Sequence, residues 1–162
     1  MAFKLSQRSL DKLEGVHPDL VAVVKSAIGY TDTDFGCICG VRSKSQQAEL
    51  VNSGASQTMN SKHLPQESTG MSHAVDLMAY VNDGSGSRAS WELNLYDNIA
   101  DAMKKAAIEK GVKITWGAAW NVDLCSWDGT CEEAMNYYID ARRNGTPKRR
   151  PFIDGPHFQL EV

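Results

Sequence analysis

The sequence predicts an α+β fold, with a small and mainly antiparallel sheet and flanking helices. Its 162 residues are the size of a single domain. Helical stretches cluster early and strand-like runs are scattered, without the regular strand–helix alternation that builds a parallel sheet. Hydrophobic residues make up 42% and charged residues 23%, ordinary globular usage with enough apolar surface for one core. No internal repeat interrupts residues 1–162, and no linker is long enough to divide them.

Ser6 to Leu13 is expected to open the fold as a short helix. Pro18 starts a second helix, since proline suits a first turn and Asp19 lies near the positive helix end. Gly29 ends it. Phe35 to Arg42 has the apolar run of a strand, and Ser45 to Asn52 reads as a helix capped by Ser45 and stopped by Gly54. Residues 54–72 lack periodicity and carry Gly, Ser, Thr, Asn and Pro. A long loop is expected there, and such loops tend to carry function. Ala74 to Val81 is a second strand, mostly apolar with one acid, Asp76. Asn82 to Ser87 forms a turn. Leu93 to Lys110 is the longest helix, with Leu95, Ile99, Met103, Ala106 and Ala107 on one stripe and Gly111 as its stop. Val112 to Trp116 is a third strand, Cys131 to Arg143 a helix, and Phe158 to Val162 an alternating terminal strand.

Several function classes fall away. The formal net charge is −3, so there is no basic footprint for general nucleic-acid binding. No apolar run approaches the roughly 20 residues of a membrane span, and the N-terminus has no apolar signal region. Synthesis in the cytoplasm without an export signal is the expectation. The four cysteines, Cys37, Cys39, Cys125 and Cys131, lack the spacing of a zinc knuckle and are expected to be reduced and mostly buried. Cys37 and Cys39 are expected on one face of their strand. Asp123, Asp128, Glu132 and Glu133 lack Ca²⁺-loop spacing and read as a solvated loop, as does the short basic run Lys148 to Arg150.

Chemistry concentrates around the histidines, which number four: His17, His63, His73 and His157. Asp76 is a carboxylate inside an apolar strand, which is costly unless paired or coordinated. Pairing with Arg or Lys would resolve it. So would a divalent metal, and two His with one Asp make a zinc set with an open position for water. The helical H-E-x-x-H signature is absent.

Ser61-Lys62-His63, Ala74-Val75-Asp76 and Asp154-Gly155-Pro156-His157 occur in that order. They resemble the three motifs of the zinc peptidases that cleave bacterial cell-wall peptides, the D-alanyl-D-alanine carboxypeptidases and the L-alanyl-D-glutamate endopeptidases of phage endolysins. Gly40-Val41-Arg42-Ser43, Gln46-Gln47, Gly54 and Trp116 to Trp120 extend the resemblance along the chain. The interval from His63 to Asp76 is longer than the family usually shows, and Ser72 stands where its motif has Gly. Leu64 to Met71 then reads as an insertion in a surface loop, which costs little. His73 is the alternative ligand; His63 is favoured because Ser61 completes its motif.

The resemblance implies that His63, Asp76 and His157 hold one Zn²⁺, that Asp154 is the general base, and that Arg42 stabilises an oxyanion or holds a substrate carboxylate. A turn-capping role for Asp154 and a surface charge for Arg42 are the plain alternatives. Trp116 and Trp120 either wall a cleft or fill the core. The implied protein is a monomeric endolysin, one catalytic domain over 1–162 without a wall-binding module. It would be made in the host cytoplasm and act on the periplasmic wall after holin-type release. The substrate would be the peptidoglycan stem peptide, most simply its L-alanyl-D-glutamate bond. A D-alanyl-D-alanine carboxypeptidase of the same fold and a non-catalytic peptide-binding module are the rivals. No nucleic acid and no stable membrane insertion are expected.

Overall fold

Gln7–Lys12 (α1) and Pro18–Ala27 (α2) precede the first strand, Asp34–Cys39 (β1), in a computed structural model that describes residues 3–56, 58–82 and 84–161. Lys44–Asn52 (α3), Ala74–Asn82 (β2), Ser87–Ser90 (β3), Leu93–Lys110 (α4), Ile114–Trp116 (β4), Cys131–Arg143 (α5) and His157–Leu160 (β5) follow, with a 3-10 turn at Leu124–Ser126. The expected α+β class is observed. The sheet runs β1-β2-β5-β4 with β3 beside β2, and every pairing among these strands is antiparallel. β2 is the hub: β1 pairs with one edge, while β5 and β3 share the other along its length.

Local chemistry sets the elements. Pro18 opens α2, and Gly111 closes α4 in the left-handed conformation at φ 69°. Thr130 and Glu133 form a reciprocal capping box on α5. The cap of α3 falls two residues earlier than expected, because Ser43 and Gln46, not Ser45, satisfy each other's backbone donors. α4 buries Tyr96, Ile99, Ala100, Met103, Ala106 and Ala107 against α2 and the sheet, while Leu95 is only half-buried at the edge of that stripe.

Other boundaries shift for identifiable reasons. β1 ends at Cys39, not Arg42, because the register slips between Cys37 and Cys39. Residues 40–42 then leave the sheet and lead into α3, and the Arg42 N–H donates to the His63 carbonyl of the long loop at 2.9 Å. A side chain at Gly40 would collide with the Lys12 carbonyl. β4 starts at Ile114 because the Val112 N–H is used to close α4 on the Ala107 carbonyl. β3 was not expected: Ser-Arg-Ala-Ser has no apolar alternation, and pairing with β2 alone makes it a strand. Asp83 of the expected turn and Val162 of the expected last strand lie outside the described residues.

Tyr96 ties α4 to the β2–β3 end of the sheet. Its hydroxyl donates to the Ser90 carbonyl at 2.7 Å and accepts from the Ala79 N–H at 3.2 Å. Tyr96→Phe keeps the ring but strands both buried backbone groups. It should lower stability by about 1–3 kcal/mol, read as a lower melting temperature and denaturant midpoint. An unchanged midpoint would show that the hydroxyl carries none of this junction.

Candidate active site

Sheet register brings the site together. Asp76 on β2 pairs with Cys39 on β1 across one edge and with His157 on β5 across the other. His63 comes from the long loop that follows α3 and is buried at 2% exposure. Its segment is held from both sides: the His63 N–H donates to Ser61 Oγ at 3.1 Å, and the His63 carbonyl accepts from Arg42.

Both imidazoles turn to one carboxylate oxygen. His63 Nε2 and His157 Nδ1 each lie 3.2 Å from Asp76 Oδ1, and the ring centroids are 5.1 Å apart. The opposite ring nitrogens are also fixed. His63 Nδ1 donates to the Gly40 carbonyl at 2.8 Å, and His157 Nε2 donates to Gln159 Oε1 at 2.9 Å. Each outer partner assigns which nitrogen faces the centre, the arrangement that orients metal-binding histidines. Arg42 Nη2 lies 3.5 Å from Asp76 Oδ2, while its Nη1 donates to Gln47 Oε1 at 2.7 Å.

Electrostatics follow this geometry. Burial would raise the Asp76 carboxyl, but the bonds from His157 and His63 outweigh it and hold the group well below the usual carboxylate range. Burial would lower His63, yet the Asp76 carboxylate and the Cys39 thiol raise it to about 10. Acceptors stand at both nitrogens, so a cation binding at Nε2 competes there with a proton. Asp154 is shifted the other way: burial first, then the Asp76 charge, raises it. Its backbone is pinned by Gly117 and His157, but its carboxylate caps no backbone group of its own turn. The turn-capping alternative therefore has no bond to rest on.

The donor set suits a divalent metal. Two groups of ligand atoms lie mutually within 4.8 Å, Cys39–His63–Asp76 and Asp76–Asp154–His157, and they share Asp76. Each group holds one imidazole, and the expected set of His63, Asp76 and His157 draws on both through the shared Asp76, a mix of imidazole and carboxylate that zinc accepts. His73 stands outside it. Its Nε2 meets Thr69 Oγ1 at 2.8 Å inside the long loop, and its ring packs edge-to-face on His17. In the acidic loop Glu133 caps α5, and Lys104 donates to the Trp127 and Gly129 carbonyls.

A cleft of about 580 Å³ opens over the site, bounded by Arg42, Lys62, Trp120 and Phe152. Trp120 lies on its wall, 5.5 Å from the His157 ring, and stacks on Phe152. Trp116 does not reach the cleft. It is fully buried against Phe158, and its Nε1 donates to the Gly155 carbonyl at 2.7 Å, locking the turn before His157. The four thiols are free; Cys37 is in the core, whereas Cys39 reaches the site with Sγ 3.8 Å from His63 Nδ1. Sequence reasoning missed Cys39 and Gln159. Gln159 had a signal, being two residues after His157 on one strand face. Cys39 had none, because its place opposite Asp76 depends on the register slip.

The model of the phage L-alanyl-D-glutamate peptidase family matches residues 1–136. The chain is 27% identical to an L-alanyl-D-glutamate peptidase of Escherichia phage T5, over 99% of each protein. It is 35% identical to the Serratia marcescens L-Ala D-Glu endopeptidase ChiX, whose crystal structure it matches with a TM-score of 0.67, covering 99% of this chain and 91% of that one.

Gly117 tests how tightly the last turn is held. Its N–H donates to the His157 carbonyl at 2.7 Å, and its own carbonyl accepts from the Asp154 N–H at 2.8 Å. A methyl group there would collide with the Asp154 carbonyl and sit 2.9 Å from His157 Cβ. Gly117→Ala should therefore lower the melting temperature and displace Asp154 and His157, seen as shifted imidazole resonances of His157. A variant with unchanged melting and unchanged resonances would show that the turn does not depend on this close approach.

Proposed function

The chain belongs to the phage L-alanyl-D-glutamate peptidase family, and we propose that it is an endolysin-type zinc peptidase cutting the L-alanyl-D-glutamate bond of the peptidoglycan stem peptide. The observation that carries the zinc reading is Asp76 Oδ1 meeting both His63 Nε2 and His157 Nδ1 under an open cleft, with Asp154 beside it. When bound, zinc supplies Lewis acidity, making water nucleophilic near neutral pH and polarising a carbonyl.

The chain's own residues do the rest. His63 presents Nε2, His157 presents Nδ1 and Asp76 a carboxylate oxygen, each oriented by its outer partner. Asp154 lies beside Asp76 and His157, and burial and the Asp76 charge raise the proton affinity of its carboxylate. It takes the proton of the attacking water and returns it to the leaving amine of the D-glutamyl residue. Arg42, braced by Gln47, sits at the mouth beside Asp76 and offsets negative charge that develops on the carbonyl oxygen. Trp120 and Phe152 give the cleft an apolar wall.

No helix among the described residues is long and apolar enough to cross a membrane. We place the protein's action on the periplasmic wall after holin-type release, a reading supported by the phage membership of the family.

Zinc analysis of purified protein should give about one ion per chain, and chelation should abolish wall hydrolysis and lower the melting temperature, since metal binds the folded state. His63→Ala should lose both zinc and activity, whereas His73→Ala should keep zinc. The reverse pattern would transfer the ligand role to His73. Asp154→Asn should keep its fold and zinc but hydrolyse wall about 10²–10⁴-fold more slowly. Near-normal hydrolysis by zinc-loaded Asp154→Asn would remove it from the mechanism.

A further inference from the structure

Two fixed cations, Arg42 and Lys62, line the cleft among the described residues, and they differ in what they already hold. The Arg42 guanidinium is committed inward, to Gln47 Oε1 and beside Asp76 Oδ2 and Cys39 Sγ. The Lys62 ammonium has no hydrogen bond and no ion pair among the described residues. Its backbone is fixed: the Lys62 carbonyl accepts the His73 N–H at 2.8 Å and lies 3.3 Å from Ser72 Oγ. The next residue is His63, whose N–H and carbonyl are both bonded. Lys62 is thus a half-buried, unpaired cation carried on an immobilised segment at the edge of the centre.

The two acids of the cleft, Asp76 and Asp154, are gathered at the centre with His157, and Lys62 forms an ion pair with neither, so its ammonium is left to recognise an anion. We propose that Lys62 binds the free carboxylate of the D-glutamyl residue on the leaving side of the scissile bond. This rests on the assigned L-alanyl-D-glutamate cleavage. Glutamate has two carboxyl groups and the peptide chain uses one, so an ionised carboxylate always stands one residue beyond the bond that is cut. Lys62 and His63 line the same cleft, so a peptide lying across the centre passes both. The compact lysine charge suits single-point capture of a carboxylate in variable orientation, where an arginine fork would demand one geometry. Lys62 is then a specificity residue: it selects the acidic residue after the alanine, while the centre beside it cuts.

The test uses the zinc-loaded full chain and two synthetic stem peptides, one with D-glutamate and one with that free carboxylate converted to a carboxamide. The wild type should favour the carboxylate peptide by about tenfold or more in kcat/KM, chiefly through KM. Lys62→Met should bring that ratio close to one, and Lys62→Arg should restore part of it, with zinc content and melting temperature like wild type in both. A Lys62→Met variant that keeps the wild-type ratio, or that loses the same factor on both peptides, overturns the proposal. So does a wild type that cuts both peptides equally at the L-alanyl-D-glutamyl bond, which leaves the activity itself standing. Mass spectrometry of the products separates that case from cleavage at another bond, which would overturn the activity and this proposal together.

Discussion

A carboxylate in the central strand is the constraint around which the fold is arranged. Asp76 lies in β2, the strand with the most neighbours, between the fully buried Val75 and Leu77. An ionised acid there would cost several kcal/mol if left alone. It is instead met by two imidazoles and a guanidinium, brought from β5, from the long loop and from the end of β1. Each arrival depends on a backbone device: the Asp76–His157 register, the His63–Arg42 backbone bond, and the slip after Cys37 that releases residues 40–42 from the sheet.

The same devices keep the site pre-organised. A histidine can offer either nitrogen, and a site that works needs one choice fixed. Gly40 and Gln159 make that choice from outside, and both belong to elements whose positions the sheet dictates. Gln47 does the same for Arg42 while also holding the loop at Ser56 and Thr58, which explains why an amide in α3 is fully buried. The buried His63 and Gln47 side chains survive there because each of their polar ends has a partner.

Most of the helices were legible in the sequence, because proline, glycine and capping residues act within a few positions of themselves. Leu93–Lys110 and Cys131–Arg143 are such cases. The convergence of His63, Asp76 and His157 was legible only through ordered motifs, since residues 81 apart in sequence give no periodic signal. Cys39, Gln159 and β3 show where local reading stops. Their roles come from pairing partners, and pairing is a tertiary event that overrides propensity. Trp116 and Trp120 make the same point: four residues apart, one is sealed in the core and the other walls the cleft, and nothing local distinguishes them.

The loop between His63 and Asp76 shows what the fold tolerates and what it does not. Leu64 to Met71 separates His63 from Asp76 along the chain, yet the two meet at 3.2 Å. Loop length costs little when the ends are fixed, and here they are fixed tightly. The Lys62 carbonyl holds the His73 N–H, and Ser72 bonds to Gly15 and His17 through its backbone. The loop therefore closes on itself before β2 begins, and its interior bonds, Gln66 with Met71 and Thr69 with His73, are its own. His73, which competes with His63 in the sequence, becomes part of the clasp that keeps His63 in place. Extra chain is absorbed between the clasped ends, and the register at Asp76 is unaltered. The family match stops at residue 136, well before the last turn. That turn is set by β2 as well, because pairing Asp76 with His157 leaves Asp154, three residues earlier, beside the same carboxylate. One strand thus positions residues from three separate segments, and length can vary only where it does not disturb that strand.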